Sequence, residues 1–369
     1  MTLTLFELSK TICEITGARS CRIGEKIQSL WSGYGVIQRV ELDIPEHPSA
    51  IVKHIDLSKA RENRRGWSGN ASHQRKVRSY EIEKTFYESY SDKCNGGVAN
   101  VGASDSARLD GGFDCRVPRM LAAFEKADSS GWLIVLEDLD EAGFKLRSSS
   151  RERSVESNLF ACLRWLANFH AVFMGCEPTG LWETGTYWHL ATRKEEWQAM
   201  EESKLKQLAS KIDQRLNAAK FQTLVHGDAK LANFCFAIPD EKPIGGTNDD
   251  FKNDDQTNQP GVAAVDFQYV GGGCGMKDVA YLVSSCLDGS ESESQQNVLL
   301  DVYFRQLEKS LAVTSPDIDF AELESEWRGL YPVAWADFCR FLAGWSPGHW
   351  KLNQYNDRVT QSVLTEMEA

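Results

Sequence analysis

The sequence predicts a two-lobed α+β protein, with a small β-rich N-terminal lobe that contains one key helix and a larger, mainly helical C-terminal lobe. At 369 residues, the chain is longer than one ordinary core requires. Short apolar runs separated by Gly and Pro occupy the first part of the chain, and apolar residues at helical spacing occupy the second. We therefore place the N-terminal lobe at residues 1–139 and the C-terminal lobe at residues 140–369.

Three short apolar runs predict the strands of the first lobe, at residues 36–42, 50–55 and 132–136. One helix is predicted among them, at residues 75–90, because Val, Tyr and Glu/Lys positions recur there at helical spacing. Residues 91–114 are rich in Gly, Ser, Asn and Asp, which predicts a long loop without packing of its own.

Amphipathic stripes predict the helices of the second lobe. The strongest stripe covers residues 154–173, and residues 205–220 and 295–311 have similar patterns. Two apolar segments bounded by turn residues, 222–236 and 261–270, predict strands or strand-like loops. The second lobe should therefore be a helical body with an embedded β pair.

Composition and charge exclude several classes of function. The net charge of −12 argues against a nucleic-acid partner, because neutralising phosphates needs a basic face. Part of the acidity lies in the Asn-rich residues 239–260, predicted to be a flexible insertion in a hairpin loop. The ten cysteines form no CxxC pair, which favours buried free thiols in a reducing cytoplasm. Neither a membrane span nor a signal peptide at residues 1–13 is indicated, so we expect a cytoplasmic protein.

The sharpest chemical signal lies in residues 226–233, with the sequence His-Gly-Asp-Ala-Lys-Leu-Ala-Asn, and in residues 264–268, Ala-Val-Asp-Phe-Gln. Either motif alone is most often a turn or a strand end, but both follow apolar runs, in an order and spacing that suit phosphoryl transfer. That reaction needs a carboxylate to orient and deprotonate a hydroxyl, and hard oxygen ligands for Mg²⁺. We assign Asp228 as the base, and Asn233 and Asp266 as the metal ligands.

These motifs resemble those of the aminoglycoside phosphotransferase and choline kinase superfamily, whose fold is similar to that of protein kinases. The closest resemblance is to the ecdysteroid-kinase-like branch. It rests on the Glu-Asp-Leu of residues 137–139, on Leu-Arg-Trp-Leu-Ala-Asn-Phe-His at 163–170, and on Asp-Phe-Gln at 266–268, and it spans about residues 30–345. The resemblance implies transfer of the γ-phosphoryl group of ATP, with Mg²⁺, to a hydroxyl of a small molecule.

The resemblance also implies a nucleotide site in the first lobe. Lys53 should contact the α- and β-phosphates, and a helix glutamate should hold it in place. We choose Glu83 over Glu81, because two residues of separation point a side chain to a different helix face. Gly33 and Gly35 should belong to the loop that covers the phosphates, since glycine lets backbone amides approach closely.

Further residues receive roles from the same resemblance. Backbone groups near Glu137 and Leu139, where the lobes join, should hydrogen-bond adenine. Lys230 should neutralise charge on the γ-phosphate, which lowers the barrier electrostatically. His226 should brace the metal-binding Asp, and Asp278 should support the catalytic loop.

Three alternative functions are weighed against this interpretation. A protein kinase would need a longer activation segment than residues 267–277, ending in an Ala-Pro-Glu that this sequence lacks. A nucleotide-binding pseudokinase acting as a scaffold or regulator would usually have lost Lys53, Asp228, Asn233 or Asp266, and all are present. A bare acid/base pair of aspartates would explain neither Asn233 nor Lys53.

The acceptor is left open among choline-, aminoglycoside-, ecdysteroid- and sugar-like alcohols, and the oligomeric state is not predicted. An aromatic-rich wall would suit a bulky apolar or cationic acceptor, although a Trp stripe at helical spacing is more often core. The candidate wall consists of Tyr187, Trp188, His189, Trp335, Asp337, Trp345 and Trp350.

Overall fold

The structure is a computed structural model that describes residues 4–30, 33–57, 70–96, 115–126, 130–148, 155–238 and 260–368. The predicted insertion at 239–260 lies outside these residues except for its last position. The predicted α+β class is confirmed, because an antiparallel sheet precedes a mainly helical C-terminal part. The exact division after residue 139 stays a prediction.

The described part of the N-terminal lobe is built on an antiparallel sheet of five strands in the order β1-β2-β3-β5-β4. The three predicted strands are β2, β3 and β5, each within a residue or so of its predicted bounds. β1 escaped prediction because its side chains are mostly exposed, so it has no apolar run. The strands are β1 (Cys21–Ser29), β2 (Gly35–Leu42), β3 (Ser49–Asp56), β4 (Met120–Glu125) and β5 (Gly131–Glu137).

Helices cover both faces of this sheet. α1 (Leu5–Thr16) packs Leu8 and Ile12 against one face, in a cluster that includes Leu133 of β5. α2 (Asn70–Ser89), the predicted key helix, belongs to the large core that includes the neighbouring Ile134. Successive residues of a strand point to opposite faces, so α1 and α2 lie on opposite sides.

The C-terminal lobe contains the predicted helices and others that the sequence analysis did not identify. The prediction of a loop at 91–114 is wrong at its start, because Ser91–Cys94 forms a short helix with Cys94 buried. Residues 97–114 of that prediction lie outside the described residues. No helix in the described ranges is long and apolar enough to span a membrane. α3 (Ser91–Cys94) still belongs to the N-terminal lobe. The helices of the C-terminal lobe are α4 (Val155–Val172), α5 (Lys194–Ala199), α6 (Lys204–Asn217), α7 (Met276–Cys286), α8 (Gly289–Thr314), α9 (Phe320–Trp345) and α10 (Gln354–Glu368).

Short strands in this lobe bring two loops together. β7 (Thr223–Val225) leads into residues 226–233, and β9 (Val262–Ala264) leads into the loop that starts at Val265. β8 (Phe234–Phe236) pairs with β9 and with β6 (Leu146–Arg147), while β10 (Gly271–Gly273) pairs with β7. The two sequence motifs therefore lie on adjacent loops.

Candidate active site

Asp278, in the first turn of α7, anchors the loop that carries the first motif. Its carboxylate accepts hydrogen bonds from the backbone N–H of His226 at 2.6 Å and of Gly227 at 2.9 Å. On its other side, His170 Nε2 lies 3.2 Å from the same carboxylate, and His170 Nδ1 lies 2.7 Å from the hydroxyl of Tyr303. This network is buried in the C-terminal lobe, as expected of the supporting role predicted for Asp278.

Gly227 has a backbone conformation that only glycine adopts easily, with a φ of 79°. A Cβ at this position would lie 2.1 Å from the carbonyl oxygen of Tyr269. The absence of a side chain thus lets the loop at residues 226–233, the proposed catalytic loop, lie directly against the loop that follows the second motif. The next residue, Asp228, is only 7% exposed.

The two carboxylate oxygens of Asp228 have different surroundings. Oδ2 accepts from Lys230 Nζ at 2.8 Å and from Asn233 Nδ2 at 3.2 Å, and the same Asn233 nitrogen donates to the Asp228 carbonyl at 2.9 Å. Oδ1 is buried and accepts no hydrogen bond from the described part of the chain. Burial raises the pKa of Asp228 above its ordinary value, with Lys230 opposing and Asp266 adding to the rise.

Asp266, in the second motif, faces the N-terminal lobe with a positive φ of 71°. Its Oδ1 accepts from Lys53 Nζ at 3.3 Å and from Gln268 Nε2 at 2.7 Å. Burial opposes ionisation, but the surrounding cations, led by Lys53 and Lys230, outweigh it and lower the pKa of Asp266 to about 2. The side chain is therefore an anion throughout the physiological range.

His226 links the two motif loops. Its Nε2 lies 3.1 Å from the carbonyl oxygen of Val265, which precedes Asp266 in the chain. Its Nδ1 lies 3.2 Å from the backbone nitrogen of Asp228. This geometry agrees with a supporting role, since the His226 ring contacts the backbone of both motif loops, beside Asp228 and beside Asp266.

Lys53 and Glu83 form a buried ion pair between β3 and α2. Lys53 is 4% exposed and Glu83 is 2% exposed. Glu81 instead pairs with Arg78 at 3.2 Å on the exposed side of α2. Burial raises the pKa of Glu83 to about 6 against the opposing effect of Lys53. Burial also opposes the charge on Lys53, but Glu83 and Asp266 together raise its pKa.

Aromatic stacking and a polar contact tie α2 to the second motif. The rings of Phe86 and Phe267 are stacked 3.8 Å apart at 10°, and both are fully buried. Lys76 of α2 donates to Gln268 at 2.6 Å. Glu83 is thereby kept beside Lys53 and Asp266, so residues from three distant parts of the sequence share one cluster.

The two predicted loop glycines lie at the start of β2. Both have positive φ, 78° for Gly33 and 152° for Gly35. A Cβ on Gly35 would lie 1.9 Å from the carbonyl oxygen of His54 on β3. The close packing of β2 against β3 therefore also requires glycine at this position. The role of Gly33 and Gly35 over the phosphates stays a prediction.

Glu137 and Leu139 lie where β5 leaves the sheet. The Glu137 carboxylate accepts from Arg116 at 2.6 Å and from the backbone of Arg119 at 3.1 Å. Leu139 is buried, and its carbonyl accepts from the N–H of Phe144 at 2.8 Å. These contacts fix the strand exit, and the predicted backbone contacts to adenine stay a prediction.

Asn233 and Asp266 lie at the ends of neighbouring strands. Phe234 of β8 pairs with Ala264 of β9, and the Val265 N–H donates to the Asn233 carbonyl at 2.9 Å. The described residues contain no cluster of three or more His, Cys, Asp or Glu side chains suited to a metal ion. The donor set nonetheless fits Mg²⁺, which is typically held by one or two carboxylates together with phosphate oxygens and water.

The segment after the second motif returns directly to the body of the lobe. Gly271 to Gly273 pair with β7, and Gly271 also forms a bridge with Trp182. A Cβ on Gly271 would lie 2.2 Å from the Trp182 carbonyl oxygen, so this strand is closely packed on both sides. Residues 267–277 thus connect Asp266 to α7 without an extended loop.

An aromatic cluster borders Asp228 in the C-terminal lobe. It contains Tyr187, Trp188, Tyr281 and Phe338. Burial raises the pKa of both Tyr187 and Tyr281, and Asp228 is the next largest cause for each. This cluster therefore lies next to the catalytic loop and is a candidate wall for the acceptor.

The other residues of the predicted wall divide into two groups. Trp335 is core, and its indole donates to Asn356 at 2.8 Å, while Asp337 is buried in an ion pair with Arg340 at 2.8 Å. His189 pairs with Asp213 at 3.3 Å. The remaining two lie towards the surface: Trp345, stacked on Phe341, and Trp350, 61% exposed.

Two residues beside the site were missed by the sequence analysis. Tyr281 lies on α7 and Lys351 on the turn between α9 and α10. Neither is part of a local motif, and only the packing of the C-terminal helices brings them near Asp228.

Comparison with known proteins agrees with the motif-based resemblance. The model of the Ecdysteroid kinase-like family matches residues 183–315, the part of the chain that holds Asp228, Asn233, Asp266 and Asp278. The predicted resemblance to this branch is thus confirmed over that stretch. No curated protein sequence matches the chain.

Several solved structures are similar over nearly the whole chain. A microcompartment-associated aminopropanol kinase has 12% identity and a TM-score of 0.42, covering 97% of this chain and 94% of its own. The amicoumacin kinase in complex with AMP-PNP and Ca²⁺ has 11% identity and a TM-score of 0.46, with coverages of 99% and 93%. A choline kinase from Streptococcus pneumoniae has 12% identity and a TM-score of 0.43, with coverages of 98% and 97%.

Proposed function

We propose that this chain is an ATP- and Mg²⁺-dependent kinase that transfers the γ-phosphoryl group of ATP to a hydroxyl group of a small molecule. The observation that carries the proposal is a single cluster of contacting side chains. It contains a candidate base, two candidate oxygen ligands for a metal ion and a buried ion pair. Asp228 and Asn233 share a hydrogen bond, and Asp266 contacts the Lys53–Glu83 pair. Phosphoryl transfer depends on positioning and charge stabilisation of this kind.

Asp228 is the proposed base. Lys230 and Asn233 hold Oδ2 and so orient the carboxylate that would accept the proton of the acceptor hydroxyl. The hydroxyl oxygen forms a bond to the γ-phosphorus, the bond from that phosphorus to the bridging oxygen of ADP breaks, and the proton passes to Asp228. Its raised pKa makes Asp228 a better proton acceptor than a solvated aspartate.

Asn233 and Asp266 would hold Mg²⁺, and the ion would neutralise charge on the phosphates of ATP. Asp266 suits this role because it is ionised at all physiological pH values. Lys53, kept in place by Glu83, would contact the α- and β-phosphates, and Lys230 would lie beside the transferred group. Gly33, Gly35, Glu137 and Leu139 are retained as proposed nucleotide contacts.

The short segment at 267–277 supports a small acceptor. It forms β10 against β7 and enters α7 at once, so it offers no extended strand on which a peptide could dock. Peptide recognition by added strands needs an exposed backbone edge. A hydroxyl on a small molecule, placed against the aromatic cluster beside Asp228, is the better fit.

A screen of acceptors tests this proposal. ADP release would be measured with Mg²⁺-ATP over a library of sterol-like alcohols, amino alcohols, aminoglycosides and sugars, with the Asp228→Asn protein as the blank. We expect acceptor-dependent ADP release that requires Mg²⁺ and is lost in the variant. Acceptor-dependent release that persists in Asp228→Asn, or a protein that does not bind Mg²⁺-ATP, would contradict the proposal.

A further inference from the structure

Lys351 places its ammonium group over three aromatic rings at the edge of the candidate site. Nζ lies 5.3 Å from the ring centroid of Tyr281, 5.4 Å from that of Phe338 and 5.7 Å from that of Trp350. A cation within about 6 Å of a ring centroid is attracted by the ring's negative face. Proteins hold cationic ligands in cages of this type, and here the chain supplies the cation itself.

This cage adjoins the proposed base. Tyr281 forms part of the cage. Burial raises the pKa of Tyr281, and the charge of Asp228 is the next largest cause of that rise. Burial lowers the pKa of Lys351 to about 8, opposed by Cys286 and Asp228 and assisted by Lys230. Asp228 and Lys230 thus both act on Lys351 electrostatically, and the side chain is mainly protonated at neutral pH.

The turn that carries Lys351 is well anchored. The Lys351 N–H donates to His349 Nδ1 at 3.2 Å, and the side chain of Asn356 donates to the Lys351 carbonyl. The Leu352 N–H donates to the His349 carbonyl at 2.9 Å. The backbone position of Lys351 is therefore set by α9, α10 and the turn between them.

The Lys351 ammonium has hydrogen-bond donors to spare. Its contacts within the described ranges are the three ring faces, with no hydrogen bond or ion pair to Nζ. Lys351 is only partly buried and its Nζ still reaches solvent, so the N–H groups are accessible to an oxygen of a bound ligand. The acceptor molecule, bound beside Asp228, is the natural source of that oxygen.

We propose that Lys351 is a specificity-determining residue that disfavours cationic acceptors and donates a hydrogen bond to an uncharged or anionic oxygen group of the acceptor. This inference rests on the proposed kinase function. A cationic amine entering the site would meet a like charge at short range, where the low dielectric makes repulsion strong. The aromatic faces that would otherwise attract it are already occupied by Lys351.

The test compares acceptors that differ in charge. kcat/KM would be measured for amino alcohols such as choline and ethanolamine, for uncharged alcohols of similar size, and for hydroxy acids, using wild type, Lys351→Met, Lys351→Arg and Lys211→Met. Lys211 is an exposed lysine of α6 and serves as the matched control. Lys351→Arg keeps the positive charge. It therefore separates the effect of losing the charge from structural damage caused by any substitution at this position.

We expect wild type to prefer uncharged or acidic acceptors over amino alcohols by about tenfold or more, the effect of roughly one good charge interaction. Lys351→Met should lose most of this preference, chiefly through KM, while Lys351→Arg and Lys211→Met keep it. Equal or better use of amino alcohols by wild type, or an unchanged preference in Lys351→Met, would overturn the inference and leave the kinase function intact. No acceptor-dependent ADP release in any arm would overturn both.

Discussion

Asp228 and Asp266 are neighbouring carboxylates whose pKa values shift in opposite directions. Asp266 is held ionised by Lys53 and Lys230, with a pKa of about 2. Asp228 has a raised pKa, because burial outweighs its contact with Lys230. Divergent pKa values in neighbouring acids mark different chemical roles. A lasting anion suits a metal ligand, and a more basic carboxylate suits a proton acceptor.

The pH dependence of activity should follow Asp228. Because the base must be ionised, kcat/KM should fall as the pH falls through its pKa. Lys230 lowers that pKa, so Lys230→Met should move the acidic limb of the profile to higher pH, in addition to slowing the reaction. The profile of kcat/KM against pH for both proteins measures this. A limb that stays in place or moves to lower pH would argue against the assignment.

Glu83 and Glu81 form a matched pair for testing the role of the buried ion pair. Glu83→Gln removes the carboxylate that faces Lys53 in the buried site, so kcat/KM for ATP should fall by about tenfold or more. Glu81→Gln removes an exposed ion pair with Arg78 and should change kcat/KM by less than about twofold. Steady-state kinetics of both variants decides the matter, and equal losses would contradict the pairing.

At the scale of elements, α7 holds the catalytic loop through its first turn. Asp278 binds the two backbone N–H groups that precede Asp228, and His170 of α4 supports it from behind. The loop therefore depends on the packing of α4 against α7. Two helices of the C-terminal lobe thus fix the position of Asp228, the proposed base.

Asp278→Ala should destabilise the protein and impair catalysis together. The substitution leaves two buried amide donors without an acceptor, at about 1–3 kcal/mol each in the free energy of unfolding. Asp301→Ala, at an exposed ion pair with Arg328, is the control and should cost less than about 1 kcal/mol. Chemical denaturation and kcat are the measurements. A stable Asp278→Ala protein with normal kcat would refute the anchoring role.

The fold could be predicted for helices that bury one face and for short strands that are buried along their whole length. β2, β3 and β5 have apolar runs, and α4 has a clear apolar stripe. α9 could not be found this way, because nearly all its residues from 330 to 342 are buried and no polar face shows its period. β1 has the opposite problem, with mostly exposed side chains. Tertiary packing determines these elements.

The site could be predicted where chemistry requires a fixed local spacing. Asp228 and Asn233 belong to one loop, so their relation is readable from the chain, and the structure brings Lys53, Glu83 and Asp266 to the same cluster. Lys351 is on a turn far along the sequence, without a motif of its own. Its position beside Asp228 follows from how α9 and α10 pack, which local patterns do not encode.

At the scale of the whole molecule, α2 connects the two lobes. Phe86 stacks on Phe267, and Arg75 donates to the Thr192 carbonyl at 2.8 Å. Directly after α2, the Tyr90 hydroxyl donates to the Thr179 carbonyl at 2.8 Å. The helix that holds Glu83 is therefore fixed from the C-terminal side. A nucleotide bound at Lys53 and Asp266 would contact both parts of the chain.

Mg²⁺-ATP should accordingly stabilise the whole protein against heat. A ligand that binds only the folded state at 100 times its Kd contributes about 2.7 kcal/mol, enough for a rise of several degrees in Tm. Lys53→Met should reduce this rise, while Lys211→Met should not. Thermal unfolding with and without nucleotide measures it. An unchanged rise in Lys53→Met would place the nucleotide elsewhere.

The most direct test of the central claim is kcat for phosphoryl transfer in Asp228→Asn, measured with the acceptor that the screen identifies. Asn keeps the size of the side chain but cannot accept the proton, so we expect kcat to fall by about 10²- to 10⁴-fold. Stabilisation by Mg²⁺-ATP should persist, since Asp228 is not a proposed metal ligand. A variant that retains kcat within about fivefold of wild type would contradict the assignment of Asp228 as the base.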